Sequence, residues 1–295
     1  MTPVARPRRS LLFAPASNGR ALEKARGLAC DAVIVDLEDA VAPAVKTTAR
    51  EDARAALAKG FGGREVALRI NGPDTPWHAD DLALAARAAP DAVLIPKVSS
   101  AETVRDIGRR LDALGAPAHV HVWAMIETAR GVLDADAIAR TAREPASRLT
   151  LFVIGANDLA RETGARVRPG RAALLPWLQQ TLLAARAGGL AVIDSVYNDF
   201  NDATGFTQEC EQGRDLGFDG KSLIHPAQID AANAAFGPSP AEIEEAHALI
   251  AAFAAPENAG KGAVTFRGRM IEDLHVTMAR QVLALADAIA ALHRN

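Results

Sequence analysis

Two acids and one arginine stand where chemistry could be done, each at or just beyond the end of a short apolar run. Glu127 follows Val120–Ile126, and Asp158 follows Leu149–Ile154 after a Gly155-Ala-Asn157 step. If those runs are neighbouring strands, the two carboxylates meet at one edge. There they can share a hard cation, with water or substrate oxygens completing its shell. That donor set suits Mg²⁺, which keeps its waters and takes only one or two protein carboxylates, with Mn²⁺ as a second fit. No His/Cys set competes for zinc or iron. A plainer reading makes Glu127 a helix cap and Asp158 an N-cap ahead of Leu159-Ala160.

Arg69 closes the apolar run Val66-Ala-Leu68. A guanidinium cannot shed its charge, so at that depth it needs a carboxylate or an anionic ligand. Its planar fork could clamp a substrate carboxylate or thioester oxygen; the alternative is an internal ion pair with Asp36 or Glu38. Lys97, after Ile95-Pro96, reads either as a Schiff-base amine or as a protonated lysine holding an acid-rich rim, and the acids favour the second. His119 and His121 share one strand face, but at the strand's beginning. His225, before Pro226, reads as a structural hydrogen-bonding residue. Cys30 and Cys210 have no metal-type spacing and read as packed residues in a reducing compartment.

Such residues need a scaffold that gathers strand ends. Short apolar, β-branched runs recur at Ser10–Ala14, Ala32–Leu37, Glu65–Ile70, Ala92–Pro96, Val120–Ile126, Leu149–Ile154, Ala191–Asp194 and Gly220–Ile224. They are apolar nearly throughout, as parallel strands covered on both faces are. Helical patterns lie between them, among them Thr48–Lys59, Asp80–Ala88, Ala101–Leu114 and Leu174–Ala187. This alternation predicts a closed (β/α)₈ TIM barrel over residues 1–236, with its active face at the C-terminal strand ends. Gly237-Pro-Ser-Pro240 then punctuates the chain. A helix over Ala241–Ala255, a segment without apolar periodicity over Pro256–Val264 and a last helix from about Ile271 to Leu292 predict a helical appendage or lid over residues 237–295.

The 295 residues are 49% hydrophobic, enough for a sizeable core, and the net charge of −3 offers no basic field to nucleic acid or an anionic membrane. The apolar runs are strand-length, well short of the ~20 residues that span a bilayer, and no secretory signal core opens the chain. The expectation is a cytoplasmic protein without nucleic-acid or membrane partners.

Several motifs occur in order along nearly the whole chain: Arg9-Ser-Leu-Leu-Phe-Ala-Pro15, Asp36-Leu-Glu-Asp-Ala-Val-Ala-Pro43 with Lys46, Leu68-Arg-Ile-Asn71, Ile95-Pro-Lys97, Ile126-Glu-Thr128, Gly155-Ala-Asn-Asp-Leu159, and Gly217-Phe-Asp-Gly-Lys221 with Ile224-His-Pro226. Together they resemble the citrate lyase β-subunit-like family of the HpcH/HpaI aldolase superfamily, which includes malyl-CoA and citramalyl-CoA lyases. The resemblance implies Mg²⁺ on Glu127 and Asp158, Arg69 on the reacting oxygens, and backbone N–H groups of Gly155, Ala156 and Asn157 receiving a carboxylate. It places Glu38 and Asp39 around the metal, counts Glu38 with Arg69 among the catalytic residues, and puts Arg20, Lys24 and Lys46 near the phosphates of coenzyme A. The reaction implied is a reversible Claisen-type cleavage of a 3-hydroxyacyl-CoA, such as malyl-CoA or citramalyl-CoA, to a 2-oxo acid and an acyl-CoA. A malyl-CoA thioesterase, or a citrate lyase β subunit active only within a complex, are its alternatives. A homotrimer or a multiple of it is also implied.

Two positions depart from the family. Ala44 stands where an acid is usual after Ala42-Pro43. Glu272, after Gly268-Arg-Met-Ile271, stands where lyases with a lid carry an aspartate. Glu272 is the implied catalytic carboxylate, contributed to a neighbouring subunit. Its extra methylene matters, because a displacement of roughly 1 Å can cost about 10²-fold in rate.

Overall fold

The computed structural model describes residues 6–292. Eight parallel strands close into a barrel in chain order: β1 (Ser10–Pro15), β2 (Ala32–Asp36), β3 (Glu65–Arg69), β4 (Ala92–Ile95), β5 (His121–Ile126), β6 (Leu149–Ile154), β7 (Ala191–Asp194) and β8 (Gly220–Leu223). Helices α1 (Gly19–Ala25), α2 (Lys46–Lys59), α3 (His78–Ala88), α4 (Ala101–Ala113), α5 (Ala129–Leu133) and α6 (Ala135–Arg140) follow the first five strands. After β6, β7 and β8 come α7 (Ala156–Thr163), α8 (Leu175–Gly188), α9 (Ala203–Leu216) and α10 (Ile229–Phe236). This is the expected (β/α)₈ barrel, with strand bounds within a residue of the sequence reading.

Side chains alternate along a strand, and the alternation decides what fills the barrel. The interior cluster takes Ala32 and Ile34 from β2, Ala67 from β3, Trp123 and Met125 from β5, and Leu151 and Val153 from β6. One further step of two reaches Asp36, Arg69, Glu127 and Gly155. The inward-facing positions are therefore apolar through the body and charged at the two ends: Glu65, paired with Arg8 at 2.6 Å, closes the bottom, and Asp36, Arg69 and Glu127 form the top layer. In register, Asp36 lies directly beside Arg69. Caps set the helix starts locally: the Ser100 side chain accepts the Thr103 N–H at α4, and Thr128 accepts the Gly131 N–H at α5.

The described residues divide into two compact units, one over Arg8–Asn233 and another over residues 234–292 with Arg6 and Pro7. The second unit contains α11 (Pro240–Phe253) and α12 (Asp273–Leu292), joined through a hairpin of β9 (Ala263–Phe266) and β10 (Arg269–Glu272). Ser239 and Glu242 form a capping box at the start of α11. The hairpin is absent from the sequence reading, which saw no periodicity up to Val264 and began its last helix at Ile271. Period-two burial runs over only four residues of β9. The turn is made by Arg267 and Gly268, both at positive φ, the two-residue geometry that matches strand twist.

The 20-residue helix α12 contains an 18-residue stretch of mean hydropathy 1.2 and is long and apolar enough to cross a bilayer by length and composition alone. In the sequence this stretch is not an uninterrupted apolar run, because Arg280 and Asp287 fall within it.

Candidate active site

The top layer of the barrel is a connected set of charges. Arg69 donates from Nε to Asp36 Oδ1 at 2.7 Å and from Nη2 to Asp36 Oδ2 at 2.6 Å, a bidentate fork between adjacent strands. Its Nη1 lies 2.8 Å from Glu38 Oε2, an ion pair without hydrogen-bond alignment. The guanidinium also lies over the Phe13 ring, 4.8 Å from its centroid. Burial works against the Arg69 charge, but Asp36 and then Glu38 outweigh it and hold the pKa above the ordinary arginine value. The internal ion pair considered for Arg69 is thus present with both acids at once. A substrate oxygen that reaches this guanidinium has Nη1 available, in competition with Glu38.

Glu38 also accepts from Lys97 Nζ at 2.6 Å. Burial tends to lower the Lys97 pKa, but the Glu38 bond raises it overall. An ammonium held protonated by a carboxylate is the opposite of what a Schiff-base nucleophile requires, so Lys97 is the protonated lysine of an acid-rich rim, the alternative that the acids favour.

Glu127 is the most unusual group in the layer. Its Oε1 accepts the Lys97 backbone N–H at 2.8 Å. On its other side is Gly155, where any β-carbon would overlap Glu127 Cβ and Oε2 and press on Met125 Cε. Burial, with the Glu38 and Asp158 carboxylates acting on it, pushes the Glu127 carboxyl up to about 7, against the pull of Arg69. The helix cap is Thr128, so Glu127 is no cap. Nor is Asp158, since Gly155 is the N-cap of α7 and Asp158 lies within the first turn, paired with Arg161.

These observations test whether a divalent cation fits. Among the described residues no group of three or more His, Cys, Asp or Glu side chains is gathered for a metal. A buried carboxylate whose negative charge is opposed by two more acids is what a bound Mg²⁺ would relieve, with water and substrate oxygens supplying the remaining ligands. Glu127 and Asp158 fit that ion.

The start of α7 supplies donors. Gly155 N–H is spent on Ile126 O, which removes it from the predicted carboxylate-binding set. Ala156 and Asn157 begin the helix, where N–H groups lack intrahelical partners and favour an anion. The Asn157 side chain is tied to Asn198 by two hydrogen bonds, of 2.8 and 3.1 Å.

Other expectations resolve more simply. Lys46 is buried and donates from Nζ to the Leu37 and Glu38 carbonyls, both at 2.7 Å, so it cannot serve a phosphate. It holds the loop that presents Glu38. Arg20, Lys24 and Asp39 are exposed. His119 lies in the turn before β5 and contacts Ala89 O, so it shares no strand face with His121. His225 caps a short 3₁₀ turn through its ring nitrogen and stacks on Phe200. Cys30 and Cys210 are buried, with thiols pushed up by burial to about 11 and about 12. Glu272 ends β10 in the second unit, where its backbone N–H donates to His275 Nδ1.

Sequence reasoning passed over the Lys97 backbone contact and the hollow at Gly155. The signal for the second was available: Gly155 sits two residues beyond the inward-facing Val153, where a side chain would enter the charged layer.

A model of the HpcH/HpaI aldolase/citrate lyase family matches residues 9–226. A (3S)-malyl-CoA thioesterase of Cereibacter sphaeroides is 51% identical over the full length of both chains. The citrate lyase β subunit of Leuconostoc mesenteroides subsp. cremoris is 35% identical over 96% of this chain and 94% of its own. Among solved structures, the CitE protein of Mycobacterium tuberculosis in complex with magnesium, acetoacetate and coenzyme A superposes with a TM-score of 0.78 at 32% identity, covering 96% of this chain and 99% of that one. With the barrel and its charged top layer, these likenesses establish that the chain belongs to the HpcH/HpaI aldolase/citrate lyase family.

Proposed function

We propose that this chain is a Mg²⁺-dependent enzyme acting on a 3-hydroxyacyl-CoA of the malyl-CoA class, and that it hydrolyses the thioester to a free hydroxy acid and coenzyme A. The observation that carries the reading is Glu127, a carboxyl held near pKa 7 by burial and by two neighbouring acids, packed against Gly155, the N-cap of α7. The full-length likeness to malyl-CoA thioesterases supports hydrolysis.

When bound on Glu127 and Asp158, the ion supplies Lewis-acid polarisation of substrate oxygens. The remaining work belongs to the chain. The N–H groups of Ala156 and Asn157 receive the substrate carboxylate at a helix N-terminus. Arg69, fixed by Asp36, keeps a positive charge beside the oxygen on which negative charge develops. Glu38 and Lys97 balance that charge and keep the fork in place. In hydrolysis a water oxygen bonds to the thioester carbon, the carbon–sulfur bond breaks, and sulfur leaves as the thiolate that takes up a proton. Glu272 of a neighbouring copy is the proposed carboxylate for the proton transfer.

A second reading keeps the same binding and breaks the carbon–carbon bond instead, giving a 2-oxo acid and an acyl-CoA. The CitE neighbour solved with acetoacetate and coenzyme A favours it. Incubation of the purified chain with Mg²⁺ and a panel of CoA thioesters separates the two. Malate with free coenzyme A supports hydrolysis; glyoxylate or pyruvate with an acyl-CoA supports cleavage; neither product from any thioester refutes both.

A further inference from the structure

Lys97 is one of the few non-glycine residues with a left-handed backbone, at φ 53°. L-residues avoid that region, and where it persists the surroundings enforce it. Here the enforcement is visible. The chain reverses after Pro96, so that two successive N–H groups point at the end of β5. Lys97 N–H donates to Glu127 Oε1 at 2.8 Å, and Val98 N–H donates to Met125 O at 3.2 Å. Ser99 Oγ closes the turn by bonding Lys97 O at 3.0 Å and Thr128 Oγ1 at 2.8 Å. The side chain, by contrast, turns out to the half-exposed rim and pairs with Glu38.

We propose that the left-handed main chain of Lys97 is a positioning device for the carboxylate of Glu127. Its N–H occupies Oε1, and the missing β-carbon of Gly155 leaves room for Oε2, so the carboxylate is held in one orientation before any ion arrives. This rests on the reading of Glu127 as a metal ligand. The part of Lys97 that the metal site needs is therefore its backbone conformation, and the charge at its tip serves Glu38 separately. Lys97 is a positioning residue in this assignment, acting through Glu127.

Substitutions that differ in tolerance of the left-handed region separate backbone from charge. K97G, K97N and K97V all lose the ammonium, so the lost Glu38 pair is common to the three. Glycine and asparagine accept positive φ, and valine does not. Mn²⁺ binding to the full chain is measured by the EPR signal of the free ion, and folding is checked by thermal unfolding. K97G and K97N should bind Mn²⁺ within about threefold of each other, and K97V about tenfold more weakly than either, the range set by the cost of left-handed backbone. Should K97V fail to fold, K97A replaces it, with a weakening of about fivefold against K97G expected. Equal affinity for K97V (or its K97A replacement) and K97G overturns the proposal. So does an equal large loss in all variants, which would assign the effect to the ammonium. A parent chain that binds no Mn²⁺ refutes instead the metal reading on which the proposal stands.

Discussion

At the scale of single residues, the top layer owes its character to charges that end apolar strands. Asp36, Arg69 and Glu127 are each the next inward step after residues of the barrel core, so a guanidinium and two carboxylates lie together where little water reaches them. Two predictions belong here. Glu127→Gln and Asp158→Asn should each abolish turnover and Mn²⁺ binding. Glu127→Gln should leave the melting temperature at or above that of the parent, because it removes a buried acid opposed by Glu38 and Asp158. Asp158→Asn should leave it close to the parent's, because it gives up only the rim pair with Arg161. Full turnover in excess chelator would overturn the metal assignment. Arg69→Lys keeps the charge but loses the fork that grips Asp36. It should lower activity about 10²-fold, the scale of a displacement of ~1 Å at a reacting centre. A lysine variant within a few-fold of the parent would make Arg69 purely structural. These three charges were legible because each closes an apolar run. The Lys97 contact was not, since a left-handed turn at a lysine leaves no trace in composition or periodicity.

At the scale of elements, the βα loops are held by buried ion pairs that no strand pattern announces. Arg171, in the irregular stretch before α8, donates through Nη1 to both oxygens of Asp194 at the end of β7, each at 2.8 Å. Lys221 in β8 reaches Asp194 Oδ2 at 3.0 Å and Glu209 of α9 at 2.8 Å. The Asp194 side chain is fully buried. Burial would raise its pKa, but Lys221 and then Arg171 outweigh it and hold the carboxyl below the ordinary aspartate value. A folded-state pKa below the unfolded one means that the stabilisation is complete above about pH 4 and is lost as pH falls from there through the folded value. Asp194→Asn leaves two buried cations with Glu209 as their one remaining acid among the described residues, at 2.8 Å from Lys221 and 3.5 Å from Arg171, and should destabilise by roughly 3 kcal/mol at neutral pH. Melting temperatures of parent and variant between pH 2 and 7 should converge towards the acid end; a constant gap would show that the charge of Asp194 is not what holds these loops. Asp194 was visible as a strand-end acid. Its partner Arg171 was not, because it lies in a segment whose conformation is dictated by what it touches.

At the scale of the whole molecule, the second unit presents more apolar surface than its own packing uses. Its local core is Val264, Phe266 and Ile271 against the inner face of α11. Along α12 only Val276 and Ala279 are buried, while Leu274 and Met278 are more than half exposed. Between α11 and α12 runs a cleft of about 560 Å³ lined by Ala246, Leu249, Met278 and Val282. Apolar surface of this kind on a helix pair is the usual mark of association, and a closed ring of copies covers it on every chain. The proposed assembly is a homotrimer or a multiple of it, in which Glu272 of one copy serves the barrel mouth of the next. Mixing tests this directly. Glu272→Ala leaves the barrel acids intact, and Asp158→Asn leaves the lid acid intact, so each should be inactive alone. After dissociation and joint reassembly at equal amounts, random exchange gives about a quarter of the sites both intact halves. Activity should return to about that fraction, and light scattering should report a mass divisible by three chains. If exchange is verified by a mass tag and no activity returns, Glu272 does not act between copies, and the proton-transfer group has to be sought within the barrel unit.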